Sequence, residues 1–302
     1  MSWLAFAFAG PVLWAISTHL DKYLVERYFK DSNVAVMLVF TALVSLLIMP
    51  LIWWFEPAVV ERDLASVGLM TLSGLLYMGA MLFYLQALQQ HEASVVAPFF
   101  QASPLFSYVL GYVVLGEDLS STQLLGGALI VSGAVIVSVR IGRHHEGFDW
   151  RLAGLMLACG CALALSSLIF KVFAVSDEFW PTTFWTFGGE VLFGAGLLAA
   201  PACRRQFVAM LRSNTAALLA INASNELINL GGVLANRYAL LLAPLSLVQA
   251  IGATTTLFVF GFGVALSLCW PRPGGEDLAS RELAQKGLAA ALVAVGVVLV
   301  TT

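Results

Sequence analysis

The sequence predicts an all-α integral membrane protein with ten transmembrane helices arranged as two inverted five-helix repeats. Three observations predict it. Of 302 residues, 60% are hydrophobic and only 11% are charged, against about 25% charged in a soluble domain. Ten apolar runs are each long enough to cross a bilayer, which takes about 20 residues. The second half of the chain also repeats the first.

The spans fall at about 3–22, 33–55, 64–90, 93–115, 121–139, 151–173, 181–200, 215–241, 244–268 and 283–300. Polar or Pro/Gly-bearing joints separate most of them, among them EPAVVERD, GEDLSS, RIGRHHEGFD and PRPGGED. Lipid offers backbone groups no partners, so each span must be a helix or part of a closed barrel. The runs are continuous rather than alternating, which selects helix. The N-terminal MSWLAFAFAGPVLWAISTHLDK lacks a basic leader and a cleavage site, and reads as a retained first span. Net charge is −3, with no basic stripe, so nucleic acid is not an expected partner. Cys159, Cys161, Cys203 and Cys269 form no CxxC and read as small apolar fillers.

The repeat has a nearly constant offset. ALQQHEASVVAPFFQASPLF (87–106) lies over ALLLAPLSLVQAIGATTTLF (239–258) at a shift of 152. GEDLSS (116–121) recurs as GEDLAS (275–280), and AISTHLDK (15–22) as ALSSLIFK (164–171). The two units are bounded as 1–140 and 150–302. Each holds five spans, an odd number, so the second unit enters the bilayer from the opposite side. Inverted repeats of this kind place a binding site near the midplane between the halves.

The eighth span carries Asn222, Asn225, Glu226, Asn229, Asn236 and Arg237. At 100° per residue these fall in one arc of about 120°. A charge at the midplane costs at least about 2.5–3.5 kcal/mol on insertion scales. Such a face must look at protein or water, not at acyl chains. The bland alternative is interhelical hydrogen bonding, but that usually needs only one or two polar residues. Substrate-lining residues are therefore expected at Asn222, Asn225, Glu226, Asn229 and Asn236. Shifted by 152, the same arc in the first copy carries Tyr77 and Tyr84. An acidic, amide-rich wall facing an aromatic one suits an organic solute with a polar or cationic end.

Glu190 is the other deep carboxylate, read either as a proton-coupling group or partner of a cationic substrate, or as a structural partner of Arg237 or of an Asn of the eighth span. Gln101 lies between Pro98 and Pro104 in the fourth span, where two prolines must bend the helix and free carbonyls. Trp14 shares a face with Ser17 and Thr18. These three, with the tyrosines, complete the expected site. His19, Asp21 and Lys22 read as an interfacial cluster, and the fifth and tenth spans as scaffold or dimer contact. HHEG (144–147) lacks further ligands at metal spacing, so neither metal nor cofactor is expected. No hydrolase, metalloprotease or prenyl-diphosphate motif occurs, and no enzyme activity is expected; a membrane-embedded enzyme and a non-transporting scaffold are the alternative classes.

SVVAPFFQASPLFSYVLGYVVLGEDLSSTQLLGGALIVSGAVIVS (94–138) resembles the EamA branch of the drug/metabolite transporter superfamily, with weaker echoes in the second half. The resemblance implies a multi-pass plasma (inner) membrane carrier that exports or exchanges a small organic solute by alternating access. It leaves room for a homodimer. The small multidrug-resistance relatives carry a membrane Glu eight residues before a Lys; the matching positions are Trp14 and Leu163. Twelve Lys and Arg flank one membrane face and three (Arg62, Lys171, Arg237) the other. That bias puts both termini outside, whereas the family habit puts them inside.

Overall fold

The computed structural model describes residues 2–28, 33–90, 102–138, 150–175, 178–213, 216–269 and 280–301. Every regular element among them is helical. The first half holds α1 (Ser2–Tyr28), α2 (Ala35–Phe55), a short 3-10 turn (Pro57–Val60), α3 (Leu64–Gln90), α4 (Ala102–Leu115) and α5 (Ser121–Ser138). The second half holds α6 (Trp150–Ala174), α7 (Phe179–Ala199), α8 (Pro201–Ser213), α9 (Ala216–Leu242), α10 (Leu245–Gly252), α11 (Thr255–Cys269) and α12 (Ser280–Thr301).

Among the described residues every expected span meets helix, but the pattern is not ten plain spans. Among the described residues, five stretches are long and apolar enough to cross a bilayer alone: Trp3–Leu24, Ala35–Phe55, Leu64–Gln89, Trp150–Ala174 and Leu245–Gly263. A sixth arises if α7 and α8 count together, although they meet at a 96° bend. α9 is 27 residues long, but its amides and charges pull its hydropathy down. α4 contributes only its described residues. The ninth expected span, which has no internal proline, breaks into α10 and α11 at Ala253 and Thr254. There Thr254 and Thr255 donate their hydroxyls back to Ile251 O and Gly252 O, both at 2.7 Å, the kind of back-bonding that bends helices.

Local signals explain several ends. Asp63 precedes α3 and accepts from the Ser66 N–H at 2.9 Å. Hydrogen bonds from Ser66 hold the Asp63 carboxyl below its ordinary range. α4 ends at Gly116, whose φ of +64° needs no Cβ. Glu117 N then donates to Gly111 O at 3.0 Å.

The halves interleave. α1 packs on α9 and α11, and α6 packs on α3 and α4. α2 packs on α7, and α5 on α12. Small residues let these backbones touch. A Cβ on Gly126 would lie 2.7 Å from Gly296 O, and one on Gly296 2.6 Å from Gly126 O. The small-residue faces of α5 and α12, read from sequence as scaffold or dimer contact, are thus taken up by one another.

The tightest crossing joins α3 to α7. A Cβ on Gly74 would sit 1.9 Å from Thr186 O, and one on Gly189 2.0 Å from Thr71 O. Backbone atoms cannot yield as a flexible side chain can. Gly74→Ala should therefore cost at least the roughly 1–3 kcal/mol of core overpacking and lower the melting midpoint in detergent. Gly68→Ala, on the same helix where a Cβ would meet nothing within 4 Å, should leave it unchanged. Equal effects would mean that this crossing is not close-packed.

Candidate functional site: a buried polar seam along α9

α9 turns its polar arc inward. Asn222, Asn225, Glu226, Asn236 and Arg237 are all buried, while Leu227 is 60% exposed on the other side. Asn229 is half-buried. The arc does not open into a wide vestibule, because side chains from α1, α2, α3, α6 and α7 fill most of the space against it.

Three stations follow along the helix. At the first, Asn225 accepts from the Ser17 hydroxyl at 2.8 Å and donates to Asp21 Oδ1 at 2.6 Å. Asp21 therefore belongs to the interior seam and not to an interfacial cluster. His19 lies apart from it, its Nε2 2.9 Å from Val259 O.

At the second station, Glu226 Oε1 accepts from Thr41 at 3.0 Å. Glu226, Asn229, Thr41, Ser45, Tyr77 and Glu190 line a cavity of about 20 Å³. That is room for about one water molecule. Helices of both halves build this cavity: α2 and α3 from the first, α7 and α9 from the second.

At the third station, Glu190 accepts from Ser45 at 2.6 Å and from Arg237 at 3.3 Å. The Arg237 guanidinium lies over Phe170 at 5.1 Å and Phe187 at 5.0 Å. Two aromatic faces and one carboxylate are what a buried guanidinium needs. The structural pairing of Glu190 with Arg237 is present, and Glu190 also lines the cavity.

The remaining candidates divide. Asn236 packs against α1, where a Cβ on Gly10 would lie 3.5 Å from its own. Trp14 lies over Gly232, where a Cβ would be 2.8 Å from the indole nitrogen; it fixes the α1–α9 contact and is not among the cavity-lining residues. Tyr84 packs between apolar clusters that include Met78 and Met156, away from the cavity. Gln101 and Pro98 lie outside the described residues, as does HHEG. Thr41, Ser45 and Ser17 carry hydrogen bonds at the seam that the arc alone did not reveal. Their signal is weak: isolated hydroxyls in apolar spans.

Two features of the seam bear on chemistry. The seam holds three carboxyl groups, on Asp21, Glu226 and Glu190, and one guanidinium, Arg237, which is engaged with Glu190. Among the described residues, Asn222 Nδ2, Asn236 Oδ1 and Arg237 Nη1 are buried with no hydrogen-bond partner. An unmatched buried polar atom costs about 1–3 kcal/mol. No cluster of metal-binding side chains occurs among the described residues.

Comparison with known proteins agrees with this architecture. No curated protein matches the sequence. A crystal structure of another protein superposes with a TM-score of 0.72, covering 99% of this chain and 96% of that one at 13% identity; this likeness concerns the fold alone. The profile of the EamA-like transporter family matches residues 1–139. Over that segment, which holds α1 to α5, the chain is similar to the EamA-like transporters, a family of the drug/metabolite transporter superfamily.

Proposed function

We propose that the protein is a secondary carrier that exports or exchanges a small organic solute bearing a cationic or amine end. One observation carries this reading: the inward polar arc of α9, whose Glu226 shares a cavity at the junction of the halves with Glu190 of α7, while Arg237 pairs with Glu190. A protonated amine would supply the charge that Glu226 lacks, and Tyr77 an aromatic face for it.

Alternating access is the mechanism that fits. The helix pairings map onto themselves when the halves are exchanged: α1·α9 becomes α6·α3, and α1·α11 becomes α6·α4. α2·α7 and α5·α12 map onto themselves. Two five-span units of opposite entry would have this symmetry, and rocking of one against the other would move access around a fixed site. With a cavity the size of one water, the conformation described here is an occluded one. In this reading the protein sits multi-pass in the plasma (inner) membrane.

Two ion pairs then close one face. Lys171 donates to Glu117 at 2.6 Å and to Ala243 O at 2.7 Å. Glu117 also accepts from Leu245 N at 2.9 Å, capping α10, which has no side-chain cap of its own. Arg62 pairs with Glu178 at 2.6 Å. Both pairs join the first half to the second. Glu117→Ala should loosen that face, raising the rate at which a water-soluble thiol reagent reaches a cysteine at Asn229 by roughly tenfold for each 1.4 kcal/mol removed. An unchanged rate would assign Glu117 to helix capping alone.

The test of the function is flux into sealed vesicles. Purified protein in liposomes loaded with a mixture of small primary and quaternary amines should drive saturable counterflow of a labelled amine, with neutral isosteres inactive. Flux of neutral or anionic solutes with no amine competition would contradict the cationic assignment.

A further inference from the structure

α8 was not expected from the sequence, and its position is informative. It starts one residue after α7 ends and leaves it at 96°. Ala200 is extended (φ −71°, ψ 119°) and Pro201 opens the new helix. A helix at a right angle to a spanning one lies along the membrane surface.

One stripe of α8 is buried in the protein. Cys203, Phe207 and Met210, at i, i+4 and i+7, sit in the core shared with α2, and Phe207 meets Phe40 at 5.3 Å between ring centroids. The rest faces outward. Arg204, Arg205 and Arg212 are exposed and share a shallow groove floored by Val208 and Ala209. Val208 and Leu211 are 38% and 39% exposed. The helix sequence, PACRRQFVAMLRS, has no acidic residue.

We propose that α8 is a docking surface for anionic phospholipid headgroups of the leaflet it lies on. Three guanidiniums at headgroup depth meet phosphate diesters with charge-matched, fork-shaped donors. Val208 and Leu211 enter the acyl boundary beside them, as in interfacial amphipathic helices. The buried stripe fixes the helix to α2, so lipid held here loads directly on the junction of α2, α7 and α8. Each basic residue at such a surface contributes roughly a fivefold preference for anionic lipid.

The experiment compares the full chain reconstituted in phosphatidylcholine alone and in phosphatidylcholine mixed with phosphatidylglycerol. Native mass spectrometry of the released protein should show retained phosphatidylglycerol, and the unfolding midpoint should rise with its content. The Arg204→Gln/Arg205→Gln/Arg212→Gln variant should lose most of that retention, while the three Arg→Lys changes together should keep part of it. Should the triple glutamine variant fail to fold, high salt applied to the native chain serves instead and should flatten the rise. A rise untouched by salt and by the three glutamines would overturn the proposal. So would the same rise produced by inorganic phosphate in phosphatidylcholine alone, which would mark a soluble-phosphate site.

Discussion

Glu226→Gln is expected to abolish or nearly abolish transport, and Asn229→Ala to weaken it, both leaving insertion and yield intact. Gln keeps the shape of Glu226 and an oxygen for the Thr41 hydroxyl, 3.0 Å away, but removes the one carboxyl group at the cavity that no guanidinium pairs with. Losing one member of a buried charge pair typically costs 2–5 kcal/mol. Even about 2.7 kcal/mol is a hundredfold in affinity. Asn229 lines the same cavity with Tyr77, so its truncation should raise the half-saturating concentration more than it slows the maximal rate. The measurement is initial counterflow rate across a range of labelled amine, normalised to protein in the vesicle. Wild-type rates in both variants would remove the seam from the transport path.

The second large effect concerns the fold. Arg237→Leu should destabilise the protein by about 3–5 kcal/mol, the usual cost of leaving a buried charge uncompensated. Glu190 would keep only Ser45, at 2.6 Å, and the Phe170 and Phe187 faces would lose their cation. The double change Arg237→Leu/Glu190→Gln should recover much of that loss, since replacing both partners of a buried pair is often nearly neutral. Thermal unfolding in detergent measures both. Should the double variant be as damaged as the single, the arginine acts through something other than the carboxylate.

Much of this was legible in the sequence for a plain reason. In lipid a helix must satisfy its own backbone, so long apolar runs state where helices are. The inward face of α9 was legible too, because six polar residues at helical spacing have one arc to occupy. Their partners were not. Ser17 and Asn225 are 208 residues apart in the chain, and Ser45 and Glu190 are 145 apart. No local pattern joins them, and a lone hydroxyl in an apolar span usually bonds back to its own helix, as Thr18 does to Trp14 O at 2.8 Å. Asp21 sits one residue from Lys22 and so read as interfacial, yet it bonds inward to Asn225 while Lys22 stays exposed. α8 escaped notice because its 13 residues have low hydropathy. The spacing of Cys203, Phe207 and Met210 was the signal that could have found it. The size of the cavity against the arc, room for about one water, was not legible, since side-chain volume is not written in a helical wheel.

The central claim is that the α9 arc borders a water-accessible path in the middle of the membrane. It is tested by cysteine accessibility in a background where Cys159, Cys161, Cys203 and Cys269 are replaced. Asn229→Cys should react with a membrane-impermeant thiol reagent, and the transported amine should protect it. Leu227→Cys, two residues away on the 60% exposed face, should stay unreactive in the bilayer. If Asn229→Cys is as inert as Leu227→Cys, with or without solute, the seam is sealed packing and the carrier reading fails.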